Sequence, residues 1–253
     1  MNKPLVRVAL LGLSAYVLFL LITLPAALVM PKRLPGGAQL QGVNGSIWTG
    51  QADGLVWRGQ NLGRVEWRFA PFALLRARLG VRFKLKGPEL QASGEFLQPW
   101  FSKRPEFSGL DLDMDTALSG RLDLPLRIDG DLRAHFEYAS WPADGAPNVT
   151  GTAQWTDAVA KNPVALRLGA VQADFQPGNA GQGVKLTLQG GDLSGQGSAN
   201  VDAKANYKLD MNLAAHTAEA RELLGLMGHS DARDSLRIDR SGDLRPLLRM
   251  AGM

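Results

Sequence analysis

The feature that most constrains this chain is an alternation of apolar and polar side chains with a period of two, carried through most of its length. Val81, Phe83 and Leu85 alternate with Arg82, Lys84 and Lys86; Leu110, Leu112 and Met114 alternate with Asp111, Asp113 and Asp115. From Leu122 to Tyr138 the apolar positions are all even, interrupted at Gly130, and from Val201 to Leu213 they are all odd. A strand points successive side chains to opposite faces, so this pattern writes one apolar face and one face in water. Sheets solvated on one face are normally antiparallel. Gly87-Pro88, Gly145-Ala146-Pro147-Asn148, Gly178-Asn179 and Gly190-Gly191-Asp192 supply the turns. The sequence therefore predicts a mainly β fold, a curved or sandwich-like antiparallel sheet. Helix is expected as one short turn at Phe72–Ala77 and a longer element at Thr217–Met227. There Thr217 is the N-cap, Ala220, Leu223, Leu224 and Met227 share a face, and Gly228 is the stop.

The N-terminus obeys a different rule. From Val8 to Met30 there are 23 residues without a formal charge. At ~1.5 Å per residue they reach ~34 Å as a helix, enough for a hydrocarbon core of ~30 Å. Pro25 falls near the far end, where water can satisfy freed carbonyls. A cleaved signal peptide would have a shorter apolar region and a polar mature start, whereas Ala26-Ala27 is followed by Leu28, Val29 and Met30. The segment reads as an uncleaved single-pass transmembrane helix. Lys3, Arg7 and the terminal amine oppose Lys32 and Arg33, which favours a cytoplasmic N-terminus by about one charge. The expected organisation is a cytoplasmic 1–7, a span at 8–30, a Pro/Gly-rich linker at 31–41 and an external β-rich domain at 42–253.

Charge excludes one class of partner. The chain carries a formal +4, but residues 1–33 hold four basic side chains and no acid, and the remaining 220 balance 24 against 24. No polyanion-binding surface, and hence no nucleic-acid partner, is implied for the bulk. The absence of cysteine removes disulfides, thiol nucleophiles and Cys-ligated metals. No G-x-S-x-G, H-E-x-x-H or G-x-x-x-x-G-K-[ST] occurs. Asp111, Asp113 and Asp115 share a strand face at ~6.5–7 Å intervals, too far apart for neighbours to chelate one calcium. His229-Ser230-Asp231 are adjacent in sequence, poor geometry for a triad whose members converge in space. No catalytic residue, metal ligand or cofactor site is assigned, and the chain reads as a structural or interaction protein rather than an enzyme. The candidate contact residues are Trp48, Trp57, Trp67 and Trp155, each near a glycine in a strand-like segment. They serve either to pack the sheet or to touch a partner. The segment Gly42–Trp67, just after the linker, is the candidate for strand addition by a partner.

An internal repeat is also visible. Residues 81–96 align without gaps to 184–199, with Val81/Val184, Leu85/Leu188, Gly87/Gly190, Leu90/Leu193 and Gly94/Gly197 identical. Gly63–Trp67 is echoed by Gly151–Trp155. Two diverged halves, 42–145 and 146–253, account for this, and so does generic hairpin chemistry.

Gly45-Ser46-Ile47-Trp48-Thr49-Gly50, then Leu62-Gly63-Arg64-Val65-Glu66-Trp67, Pro71 and Leu74-Leu75 run in an order that resembles the type II secretion system protein N family. Gly151 through Trp155, Gly195, Gly197, Tyr207, Leu223-Leu224 and Ile238 through Leu244 continue the likeness over nearly the whole chain. The resemblance implies an accessory inner-membrane component of the machine that exports folded proteins from the periplasm across the outer membrane. Its partners would be other subunits of that apparatus, and it carries no catalytic residue over. The alternation leaves a second reading open, an AsmA-like periplasmic module that binds or conveys phospholipid along an open apolar face. An open and a closed apolar face are written identically in sequence.

Overall fold

The computed structural model describes residues 12–16, 19–20, 22–29, 34, 37–102, 104–116, 118–121, 128–140, 147–161, 165–178, 181–227 and 235–243. The described part is mainly β. In chain order the elements are α1 (Ala26–Val29), β1 (Gln39–Gly45), β2 (Thr49–Trp57), β3 (Gln60–Asn61), β4 (Arg64–Phe69), α2 (Pro71–Leu74), β5 (Arg78–Lys86), β6 (Leu90–Pro99) and β7 (Glu106–Asp115). There follow α3 (Leu118–Arg121), β8 (Ile128–Ser140), β9 (Asn148–Ala160), β10 (Leu166–Gly178), β11 (Gly181–Gln189), β12 (Leu193–Asp202), β13 (Asn206–Ala215), α4 (Ala218–Met227) and β14 (Ser235–Asp243).

All fourteen strands among the described residues belong to one sheet. Its order, β1-β2-β4-β5-β6-β7-β8-β9-β10-β11-β12-β13-β14 with β3 paired to β2, follows the chain without a crossover. This corrects the sandwich-like alternative. Each connection returns the next strand beside its predecessor, so each new strand extends the same layer instead of starting a second. The hairpin of β2 and β3 turns through Arg58 and Gly59, both at positive φ, the backbone twist that suits a two-residue hairpin loop.

The alternation at 201–213 is not one strand. β12 ends at Asp202 and β13 starts at Asn206. The Asp202 carboxylate accepts the Lys204 and Asn206 backbone N–H groups at 2.8 and 2.9 Å and the Asn206 side-chain amide at 2.8 Å. Cross-strand partners such as Val201 and Tyr207 differ by an even number, so the parity runs unbroken through the turn. The repeat at 81–96 and 184–199 maps onto the β5–β6 and β11–β12 hairpins in the same register: Val81 faces Phe96 as Val184 faces Ala199, and Leu85 faces Ala92 as Leu188 faces Gly195. The Gly63–Trp67 echo has no such equivalence, because β4 adjoins β5 whereas β9 is separated from β11 by β10.

The core lies in separate pools along one face. Leu166, Leu188, Leu193, Leu213, Ala215 and Leu236 pack with Ala220 and Leu224 of α4. Thr217 caps that helix, its Oγ1 accepting the Ala220 N–H at 3.3 Å. Leu62 packs with Leu118 of α3, and Ala52 and Trp67 pack with Ala26 of α1.

That last contact bears on the N-terminal segment. Of the expected span, residues 8–11, 17–18, 21 and 30 lie outside the described residues. The rest is helical at 12–16, 19–20 and 22–23 and again in α1, with a break at Leu24 and Pro25. Pro25 bridges to Ser46, Ile47 donates its N–H to the Leu24 carbonyl at 3.1 Å, and Ala26 is fully buried. Among the described residues no helix is long and apolar enough to cross a membrane. β1 begins at Gln39, inside the stretch expected as linker.

Candidate functional site

The register assembles the alternation of separate strands into continuous lines. Val43 faces Ala52, Ala52 faces Val65, Val65 faces Leu85, and the line continues through Ala92, Leu112, Ala134, Ala153, Ala173, Leu186, Gly197 and Met211 to Ile238. Thirteen successive strands contribute one residue each, and none is polar. One residue along, on the other face, runs Gln51, Glu66, Lys84, Ser93, Asp111, His135, Thr152, Asp174, Lys185, Ser198, Asp210 and Asp239. The sheet is therefore amphipathic across its whole width, as period-two patterning requires when every register is kept.

The apolar line is half-buried along most of its length, and α1, α3 and α4 cover the face only locally. Across β6 to β11 the line is half-buried apart from Ala134. Aromatic rings supply much of the cover there. Phe107 lies edge-on to Phe83 and Phe96 at 6.4 and 5.4 Å, and Phe136 meets Phe175 at 5.5 Å. Gly151 sits in register between Phe136 and Phe175, and a Cβ there would collide with the His135 carbonyl and the Phe136 backbone. The glycine is thus what lets the rings approach across the intervening strand.

On the polar face side chains pair across strands. His135 Nδ1 lies 2.6 Å from Asp111, Arg133 3.5 Å from Asp113, and Arg237 2.7 Å from Asp210. Hydrogen bonding and charge from Lys86 hold the Glu66 carboxyl below its usual range, and Arg237 does the same to Asp210. These are solvent-exposed ladders. No group of His, Asp or Glu among the described residues could hold a metal ion.

The four candidate tryptophans occupy different settings. Trp67 is buried over Gly50, in the pool with Ala26 and Ala52, and its Nε1 donates to the Ser46 carbonyl at 3.2 Å. Trp155 is half-buried and donates to the Asp129 carbonyl at 3.0 Å. Trp57 packs beside Leu62 and Leu118 with the Arg58 guanidinium 5.1 Å from its ring centre. Trp48 is edge-on to Phe69 at 4.9 Å, in the turn after β1. The structure brings Trp48 and Trp67 to one end of the sheet and leaves the other two apart from them. Of the segment Gly42–Trp67, residues 42–45 belong to β1, which is one edge of the sheet, whereas β2 and β4 lie inside it.

Sequence reasoning passed over a further group. Phe72, Leu75, Trp100 and Phe101 are 77, 83, 57 and 95% exposed, in the β4–β5 and β6–β7 connections. The available signal was two apolar tips, Phe72-Ala73-Leu74-Leu75 and Trp100-Phe101, each followed closely by arginine in what should be polar turns.

The described residues thus present a wide, single-layer antiparallel sheet with one half-open apolar face and two strand edges. The type II secretion system (T2SS), protein N family matches residues 36–239, and the chain belongs to that family. It is 29% identical to the type II secretion system protein N of Vibrio cholerae serotype O1 over 74% of each chain. Identity to the protein of that name from Klebsiella pneumoniae is 28% over 92% of each chain. For the one from Pectobacterium carotovorum it is 26%, over 91% of this chain and 94% of that one. No solved structure matches the chain.

Proposed function

We propose that the chain is an accessory component of the type II secretion apparatus, held in the inner membrane by its N-terminal segment with the N-terminus in the cytoplasm and the sheet in the periplasm. There it supports export of folded proteins across the outer membrane by contacting other subunits. The family match over most of the chain carries the reading. The uncharged run from Val8 to Met30 supports the anchor. The edge strand β1 supports a partner contact by strand addition, since its outer N–H and C=O groups offer affinity without special side chains. Deleting the gene in a strain that depends on the system should strand secreted substrates in the periplasm or deplete another subunit. Unchanged secretion and unchanged subunit levels would reject the role. An alkaline phosphatase fused after Asp243 should be active, and activity confined to a cytoplasmic reporter would invert the topology.

The half-open apolar face favours one second reading, that acyl chains of phospholipid occupy it. Native mass spectrometry of detergent-extracted protein should then show stoichiometric phospholipid. Lipid-free protein would assign the face to self-packing alone.

A further inference from the structure

Outside the N-terminal segment, every large hydrophobic side chain that is exposed among the described residues lies at one end of the sheet. These are Phe72, Leu74, Leu75, Leu79, Trp100 and Phe101. The antiparallel order fixes which end. The β1–β2 turn at Ser46–Trp48, the β4–β5 connection and the β6–β7 connection share it, because Gly45 faces Gly50, Thr49 faces Arg68 and Arg78 faces Pro99. The N-terminal segment meets the sheet at the same end, through the Pro25–Ser46 bridge.

A run of backbone hydrogen bonds ties these pieces together. Ile47 donates to the Leu24 carbonyl at 3.1 Å, Phe69 to that of Trp48 at 2.7 Å, Ala70 to that of Gly80 at 2.8 Å and Trp100 to that of Ala77 at 3.1 Å. From β2 to β6 is three strand spacings, about 14 Å. The apolar tips therefore stand beside the point where the N-terminal segment leaves the sheet, on a rigid frame.

Their chemistry fits a lipid interface. Tryptophan and phenylalanine with leucine, flanked by arginine, is the composition that settles at the boundary of headgroups and acyl chains. Arg68, Arg76 and Arg104 flank the tips, and Glu106 is already paired with Arg78 at 2.9 Å. An isolated tip of this kind in water would be an aggregation liability. We infer that the β4–β5 and β6–β7 connections insert into the headgroup layer of the bilayer that holds the N-terminal segment, a second membrane contact that stands the sheet upright on the membrane. The inference rests on the anchoring proposed above.

The chain has no cysteine, so single thiols can be placed and labelled with NBD (an environment-sensitive fluorophore) without competing sites. Phe101→Cys reports the tip, Phe19→Cys the N-terminal segment and Pro88→Cys a turn at the opposite end. The full chain is reconstituted in phosphatidylethanolamine–phosphatidylglycerol vesicles containing lipids spin-labelled near the headgroup or deep in the chain. The expected result is a blue-shifted label at 101 quenched best by the shallow spin label, a label at 19 quenched best by the deep one, and no quenching at 88. Quenching at 19 with none at 101 overturns the inference, leaves the anchor standing and returns the tips to a protein partner. No quenching at either 19 or 101 overturns both. Equal quenching at 88 and 101 also overturns it, since the sheet would then lie flat.

Discussion

Gln182 pairs with the backbone of Val149 from two strands away, across a proline. Its side-chain oxygen accepts the Val149 N–H at 2.6 Å and its amide donates to the Val149 carbonyl at 3.0 Å. Gln182 stands opposite Pro177 in β11, and the register of β9 with β10 would place Pro177 opposite Val149. Proline has no N–H to give. The glutamine, 3% exposed, supplies the donor that the proline lacks, accepts the Val149 N–H as well, and so joins three strands.

Gln182→Leu should therefore cost about 1–3 kcal/mol, because it strands a buried N–H and C=O rather than merely losing a contact. Urea unfolding measures this. Gln172→Leu, at an exposed glutamine whose side chain bonds Asp174, should leave the midpoint nearly unchanged, and equal losses would refute the bridging role.

Trp67→Ala should destabilise by about 3–5 kcal/mol, the range for a large buried aromatic. It empties the pool that holds Ala26 and Ala52 and leaves Gly50 bare. Trp48→Ala and Trp57→Ala remove half-buried rings and should shift the melting temperature less. If co-purification of other secretion subunits falls in either while the melting temperature holds, that ring touches a partner.

Thr217→Ala should cost about 1 kcal/mol by freeing an N–H of the first turn of α4. Thr217→Ser should restore most of it. A loss carried equally by the serine variant would point to packing of the methyl group instead.

The turn at Asp202 should be acid-sensitive. Asn206, through side-chain and backbone hydrogen bonds, lowers the carboxyl below its ordinary value of 3.8. A lowered folded value means the unfolded chain binds the proton more readily. The contribution is present above 3.8 and lost as pH falls through the folded value. Stability measured between pH 5 and pH 2 should fall less steeply in Asp202→Asn than in the wild type, and parallel curves would refute the assignment.

Much of the sheet was legible because hairpins preserve the information that sequence carries. Val81, Leu85 and their counterparts Val184 and Leu188 announced strands, faces and turn positions together. The 201–213 segment misled for the same reason, since an even-numbered pairing carries parity through the Asp202 turn. The number of sheets was not legible, because alternation states that an apolar face exists and says nothing of what lies over it. Nor were the Gln182 bridge and the clustering of Phe72 with Trp100. Each joins residues from different hairpins, and only the registers bring them together.

Strand order that follows chain order has a consequence for how such a molecule comes into being. Each hairpin finds its neighbour within a few tens of residues, so loop closure stays inexpensive and the sheet can grow from β1 toward β14 as the chain emerges. Width is then an adjustable dimension, as in solenoids whose repeats touch only their neighbours. Inserting or removing a hairpin such as β11–β12 changes the reach of the sheet by two strand spacings, about 10 Å, without inverting either face.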